Sequence, residues 1–254
     1  MEEGADRMSI TSQAEWDGLR EVGRIVRLTL DAMEQHVKPG ITTMQLDEVA
    51  AGVFREHGAR SAPALVYGFP GTVLISVNDE IVHGIPGARV LHGGDVMKLD
   101  VTAEKDGYMA DAARTVLVGD TSDVAGRLRA CAEMAFANAL DVAHAGQLVS
   151  EIGRAVESTV RRCGFAVIPE LGGHGIGRTI HEAPSVPNHY DPRQKDRLEA
   201  GMVLTIEPIV SSGSGRTVQS SDGWTVRTRD GSLAAHHEHT LVITLGRPLL
   251  LTAA

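Results

Sequence analysis

Apolar residues recur at helical spacing near the start of the chain: Trp16, Leu19, Val22, Val26, Leu30, Met33 and Val37 follow a Ser12-x-x-Glu15 capping box. The stretch KPGITT ends this predicted helix. A second runs from about Met44 to His57, with Leu46, Val49 and Val53 on one face, and stops at Gly58. The same order of signals then returns. One helix is predicted from about Asp123 to His144 and breaks at Ala145-Gly146. Another carries Val149, Ile152, Val156 and Val160 on one face and stops at Gly164.

The breakers pair off, Gly40 with Gly146 and Gly58 with Gly164, and so do two strand-like segments. GDVMKLD (Gly94 to Asp100) and GMVLTIE (Gly201 to Glu207) both read Gly-x-Val-x-x-x-acid, an apolar strand with a carboxylate at its end. Repetition in one order predicts two pseudo-symmetric halves, about 12–120 and 121–250, and a cleft between them to which each half contributes an acid. Segments 71–119 and 165–245 are rich in short β-branched runs. Asp-Gly pairs at 106–107, 222–223 and 230–231 predict hairpins. No low-complexity linker interrupts the chain, so 12–254 reads as a single domain behind a flexible extension, 1–11. Paired helices followed by hairpins predict an α+β fold, with helices covering one face of a curved, mainly antiparallel sheet.

Composition narrows the partners. A net charge of −9 and four scattered lysines (Lys38, Lys98, Lys105, Lys195) argue against nucleic acid, which demands clustered cations. The polar start MEEGADRMSI has no apolar signal core, and no apolar run approaches the roughly 20 residues that span a bilayer, so no membrane association is expected. Cys131 and Cys163 lie in helix-like patterns without C-x-x-C spacing. They predict buried thiols and a cytoplasmic protein. Met8 is a second candidate start of translation.

The candidate chemistry begins at GGHGIGRTIHEAP, Gly172 to Pro184. Its glycines do not fit G-x-G-x-x-G and no Lys-Ser/Thr follows, so a phosphate cradle is excluded. Asp100, Asp111, His174, Glu207 and Glu238 all stand at the ends of apolar segments. Asp100 and Asp111 flank a hairpin around Asp106-Gly107 that brings both to one end of the sheet. Glu238 follows a second candidate hairpin, TVRTRDGSLAAHHEHT. Glu207 lies between MVLTI and PIV, with no basic residue nearby in sequence. Its desolvation would cost several kcal/mol without a strong partner, and a metal ion is the simplest one. Four carboxylates with one imidazole suit Mn, Fe or Co better than structural zinc, and their charge matches two divalent ions.

At this point NDEIVHGIPG (78–87), LDVTAEKDGYMADAART (99–115), GGHGIGRTIHEAP (172–184), GMVLTIEP (201–208) and EHTLVIT (238–244) together resemble the motifs of type I methionine aminopeptidases. These are dinuclear metallopeptidases of the pita-bread fold, and the match runs in order from about Ser12 to Thr244. The resemblance implies removal of methionine from the N-termini of peptides and nascent chains with two divalent ions (Co, Mn or Fe), by a monomer. Asp100 would chelate one metal, His174 and Glu207 would ligate the other, and Asp111 and Glu238 would bridge both. His83 would meet the substrate near its amine and scissile nitrogen. His181 would bond the scissile carbonyl or developing oxyanion, and Glu207 would serve as general acid/base. The ribosome is a further candidate partner, although no zinc-finger-like extension precedes Met8.

The methionine pocket is expected at Pro63, Val66, Phe69, Leu74 and Trp224. The family more often has cysteines and tyrosines at the first four, so selectivity is less fixed than chemistry. Leu171 stands where an aromatic is common. His236 should share the face of Glu238, with His237 and His239 opposite, and a plain surface role for His236 is the favoured expectation. Thr102 is expected behind the metal ligands, while His36, His57, His92, His144 and His189 are expected on surfaces or helix ends. Two other readings use the same motifs: a relative that cuts X-Pro bonds or removes another small N-terminal residue, and a metal-free peptide-binding relative. The X-Pro type carries a larger N-terminal domain, and the metal-free type loses ligands that are all present here.

Overall fold

A computed structural model of the chain describes residues 8–253. Its first helix, α1 (Gln13–His36), starts where the capping box demands: the Ser12 hydroxyl accepts from the Glu15 N–H and the Glu15 carboxylate reaches back to the Ser12 N–H. Helix α2 (Thr43–His57) opens on a second box, Thr42 with Gln45, and ends on Gly58 in the left-handed region (φ 63°). A short helix, α3 (Ala62–Tyr67), follows. The later pair is α4 (Asp123–Val142) and α5 (Val149–Arg162). All four long helices thus occupy the ranges that apolar spacing predicts. No helix among the described residues is long and apolar enough to cross a membrane.

The first half supplies β1 (Arg60–Ser61), β2 (Leu74–Val77), β3 (Glu80–Val82), β4 (Val96–Lys105) and β5 (Tyr108–Leu117). The second supplies β6 (Ala166–Val167), β7 (Gly172–Gly175), β8 (Glu182–Pro187), β9 (Val203–Ile206), β10 (Ile209–Ser211), β11 (Thr217–Gln219), β12 (Val226–Thr228), β13 (Ala234–His236), β14 (His239–Val242) and β15 (Leu249–Leu250). Every pairing is antiparallel, and hydrogen bonding divides the strands into four sheets. Helix α1 packs on β4 and β5 over one core (Val22, Val26, Leu30, Ile75, Leu99, Ala112). Helices α4 and α5 cover another (Leu128, Ile152, Val156, Leu204, Val210, Leu241).

The halves meet where β5 runs beside residues 236–240. Glu238 and Ala113 exchange backbone bonds (2.9 and 3.3 Å). Thr240 bonds both the N–H and the carbonyl of Asp111, and Thr115 does the same for His236. This seam sets Asp111 and Glu238 side by side.

Three expectations change. Asp100 and Asp111 do not end their strands: β4 and β5 continue past them as ten-residue partners, with Asp100 opposite Ala113 and Asp111 opposite Thr102. The Asp106-Gly107 turn is a hairpin with positive φ at both residues (52° and 82°); Asp222-Gly223, with positive φ at Gly223 alone (78°), lies in the hairpin between β11 and β12. Asp230-Gly231 instead joins β12 to β13, which belong to different sheets. Residues 8–11, read as part of a flexible extension, are held. Met8 is buried and its carbonyl accepts from Val203 at 3.1 Å, Ser9 bridges Met202, and the Ile10 N–H donates to Gly201 at 2.8 Å. The physical reason is that Met8 fills space over Gly177, where a β-carbon would stand 2.4 Å from the Met8 side chain. Residues 1–7 of that extension lie outside the described residues.

Helix α5 docks on the end of β8 through Gly153, whose missing β-carbon would stand 2.1 Å from the His189 carbonyl oxygen. The contact is to backbone, so the neighbour cannot swing aside. Gly153→Ala is expected to destabilise by about 1–3 kcal/mol, despite alanine's better helix propensity, and urea unfolding measures it.

Candidate metal centre

Five strands or their flanks converge on one hollow. Strand β4 brings Asp100, β5 brings Asp111, β7 brings His174, and Glu207 and Glu238 follow β9 and precede β14; all five line one cavity of about 170 Å³. Asp111, His174 and Glu238 can each point a ligand atom within 4.8 Å of the others, and so can Glu207, His236 and Glu238. Strand β7 is nearly all glycine because its neighbours press on it: a β-carbon on Gly173 would lie 2.3 Å from the Thr205 carbonyl oxygen, and one on Gly175 would lie 2.2 Å from that of Ala183. The glycines flanking His174 therefore serve strand-to-strand contact.

Hydrogen bonds aim the ligands. His174 Nδ1 bonds the Gly175 carbonyl at 2.9 Å, which leaves Nε2 facing the hollow, 3.7 Å from Glu207 Oε1. The Thr205 hydroxyl accepts from the His174 N–H at 3.1 Å and donates to Glu207 at 3.4 Å. Asn188 anchors the Glu207 carbonyl at 2.8 Å. Thr102, buried beside Asp111, bonds that carboxylate, as expected of a residue behind the ligands.

The electrostatics call for a cation. Among the described residues no lysine or arginine pairs with any of the four acids. Burial, then repulsion from Asp111 and Glu207, holds Asp100 well above the ordinary carboxylate range. Burial followed by Asp111, Glu207 and Asp100 does the same to Glu238. Burial also pushes Glu207 up to about 8 and Asp111 to about 6. His174 falls to about 3 and His236 to about 4, in both cases first through burial, so both stay neutral, the state that ligates metal. Asp111 Oδ1 and both His236 nitrogens are buried without hydrogen-bond partners. Orphaned donor atoms around crowded, unpaired carboxylates are what a divalent site looks like before the ion is counted, and the oxygen-rich set fits one.

His236 corrects the sequence reading. It is 1% exposed rather than on the surface, and its Nε2 lies 3.4 Å from Glu238 and 3.5 Å from Glu207. The expected alternation holds, since His237 and His239 turn the other way onto Phe136. His36 and His57 end helices, His92 is exposed, and His144 and His189 are half-buried.

A second, apolar cavity of about 100 Å³ opens beside the first and shares His83, Asp100, Asp111 and His181 with it. Pro63, Phe69, Leu74 and Trp224 line it as expected, with Phe69 and Trp224 edge to face at 5.2 Å. Val66 does not: it is 44% exposed and lies outside that lining. Tyr67 takes that place, and Ile180 joins it. Spacing of four from Pro63 on a helix could have found Tyr67; nothing local marks Ile180.

Two histidines stand at the junction. His83 has a left-handed backbone (φ 60°) and leads into Gly84, whose β-carbon would lie 2.2 Å from the Ile75 carbonyl oxygen, so this arm lies tight on β2. Its ring edge meets solvent, yet the surrounding protein atoms lower it to about 4, with His181 and His236 adding to this. His181 stacks near His174 (centroids 4.2 Å apart), and its Nδ1 bonds the Tyr67 hydroxyl.

Metal binding is expected to release protons at pH 7, because Glu207, pushed up to about 8, holds a proton that a cation would replace; titration calorimetry in buffers of different ionisation enthalpy reads this. Glu238→Gln, which removes the carboxylate common to both ligand groups, should weaken binding at least roughly tenfold to a hundredfold.

Known proteins resemble this chain over nearly its whole length. The model of metallopeptidase family M24 matches residues 17–245. Methionine aminopeptidase 2 of Bacillus subtilis is 42% identical over 247 residues, 96% of this chain and 99% of that protein. A methionine aminopeptidase of Staphylococcus epidermidis is 42% identical over 248 residues, 96% of this chain and 98% of that one. The crystal structure of the Thermotoga maritima methionine aminopeptidase superposes with a TM-score of 0.94 at 33% identity, covering 97% of this chain and 100% of that one. The Pyrococcus furiosus prolidase, at 19% identity and TM-score 0.78, shares the fold. The α+β architecture is the pita-bread fold, and the chain belongs to the M24 metallopeptidases.

Proposed function

We propose that this protein hydrolyses the first peptide bond of peptides and nascent chains to release N-terminal methionine. The observation that carries the proposal is the junction of the two cavities: a narrow apolar pocket opens directly onto the carboxylate–histidine cluster through His83, Asp100, Asp111 and His181. A chain end seated with an unbranched apolar side chain against Phe69, Leu74 and Trp224 presents its first peptide bond to the cluster. Asp100, Asp111, His174, Glu207 and Glu238 would hold two divalent ions, of Co, Mn or Fe, and the chemistry these would supply is activation of a water and polarisation of the carbonyl.

The chain's own groups do the rest. Glu207, which lies beside the place where the attacking water would sit, is suited to take and return a proton at the attacked carbon's side of the bond. His181 would face the scissile carbonyl: in the tautomer whose Nδ1 accepts from the Tyr67 hydroxyl, Nε2 carries the hydrogen and hydrogen-bonds the developing oxyanion. His83 meets the free amine and the leaving nitrogen. The two halves act as one domain, since each contributes ligands to one hollow. The free thiols Cys131 and Cys163 suit the cytoplasm, where newly made chain ends arise.

Turnover of Met-Ala-Ser against Ala-Pro-Ala, with Mn, Fe or Co added, tests the reading; preference for the proline peptide overturns it. His83→Ala should lower kcat by roughly 10²-fold with metal content unchanged, and full turnover would remove His83 from the mechanism. Tyr67→Phe is expected to lower kcat by about tenfold with little change in KM, if the hydroxyl orients His181.

A further inference from the structure

Among the described residues the largest fully buried side chain is a lysine, Lys98. Lysine is almost never fully buried unless paired, yet this one makes no ion pair among the described residues. Its Nζ donates to the carbonyl of Asn78 at 2.8 Å and to that of Val96 at 3.3 Å. The nearest acids are engaged elsewhere: Asp79 and Glu80 both bond Arg227, and Glu80 also bonds Arg89.

The carbonyls Lys98 holds belong to a junction. Asn78 turns the chain between β2 and β3 with a left-handed backbone (φ 60°). Its N–H donates to Val96 O at 2.7 Å, and its side chain bonds Val96 N–H and Asp95. The Asn78 carbonyl that accepts from Lys98 also accepts, at 3.2 Å, from the N–H of Ala234, the first residue of β13. Strand β13 ends at His236, against Glu207 and Glu238, and β3 runs straight into His83. Lys98 lies two residues before Asp100, so both side chains leave the same face of β4. In a dry interior, two converging carbonyls repel unless a donor stands between them.

We propose that Lys98 is a positioning residue for the metal centre: its Nζ, as a hydrogen-bond donor, ties the Asn78 turn to β4 and β13, and so holds His83 and His236 at the cluster. The part that concerns His83 rests on the proposed aminopeptidase reading; the part that concerns His236 does not. Lys98→Ala deletes the donor and leaves a channel in its place, whereas Lys98→Met fills the channel without a donor.

Both variants are compared with the wild type in a buffer whose sole monovalent cation is tetramethylammonium, too large for the channel. Lys98→Ala is expected to lose roughly tenfold to a hundredfold in kcat, with KM within about twofold, to bind metal more weakly, and to exchange the Ala234 amide faster. Ethylammonium, which carries the same –NH3+ head, should restore part of each in Lys98→Ala and none in Lys98→Met. Propane, of the same size but without a donor, fills the same space; rescue by propane equal to that by ethylammonium would mean packing alone and overturns the proposal. A folded variant with wild-type kcat, metal affinity and amide exchange overturns the proposal, as does a loss that ethylammonium leaves unchanged. Should the wild type fail to cleave Met-Ala-Ser, the aminopeptidase reading falls, and metal affinity and exchange still decide on Lys98. If neither variant folds, 15N-lysine spectra of the wild type decide. One of the four lysines should show Nζ protons in slow exchange; four freely exchanging signals overturn the proposal.

Discussion

Four carboxylates share one dry hollow, and much of this protein's architecture is the means of holding them there. At ligand-atom separations within 4.8 Å, two like charges repel by roughly 3–4 kcal/mol even at an effective dielectric of 20. Burial adds a second penalty, so all four sit above their ordinary titration range before a cation is present. The chain offers them hydroxyls, from Thr102 and Thr205, and neutral imidazoles, from His174 and His236, but no basic side chain. That combination binds divalent ions and tolerates little else.

Holding the acids requires backbone more than side chains. The seam between β5 and residues 236–240 sets Asp111 against Glu238 through direct bonds and two threonine bridges. On the opposite wall, Gly173 and Gly175 let β7 press against Thr205 and Ala183, which carries His174 to within reach of Glu207. Neither wall has room to shift, and metal-site geometry is set by that rigidity.

Selectivity is built more loosely. The apolar pocket lies against the rigid metal centre on one side, but its outer edge is α3, a six-residue helix with Tyr67 half in solvent. Of the pocket residues only Pro63 and Tyr67 lie on this helix, whereas Leu74 is paired directly with Asp100 across β2 and β4. The Tyr67–His181 bond is the point where pocket and chemistry are coupled.

The helices were legible because caps and apolar spacing are local: Ser12 with Glu15, Thr42 with Gln45, and Gly58 act within one turn. The repeated Gly-x-Val-x-x-x-acid motif likewise announced two halves and named Asp100 and Glu207 as acids of a shared cleft. Local signals could not say that β4 and β5 continue past their acids, or that Asp230-Gly231 passes between sheets, because strand length and pairing depend on partners far along the chain. The same holds for His236, which looks like one of three surface histidines in HHEH. Alternation gave its direction, but only the strand across the seam makes that direction the interior. Tyr67 for Val66, and the ordering of Met8 over Gly177, are likewise matters of what lies opposite. The sequence by itself determined which side chains are of metal-ligating type and where the helices lie, since ligand type and short-range periodicity are properties of residues and their near neighbours. The tertiary structure decided which of them meet, because convergence on one hollow is a property of strands brought together from both ends of the chain.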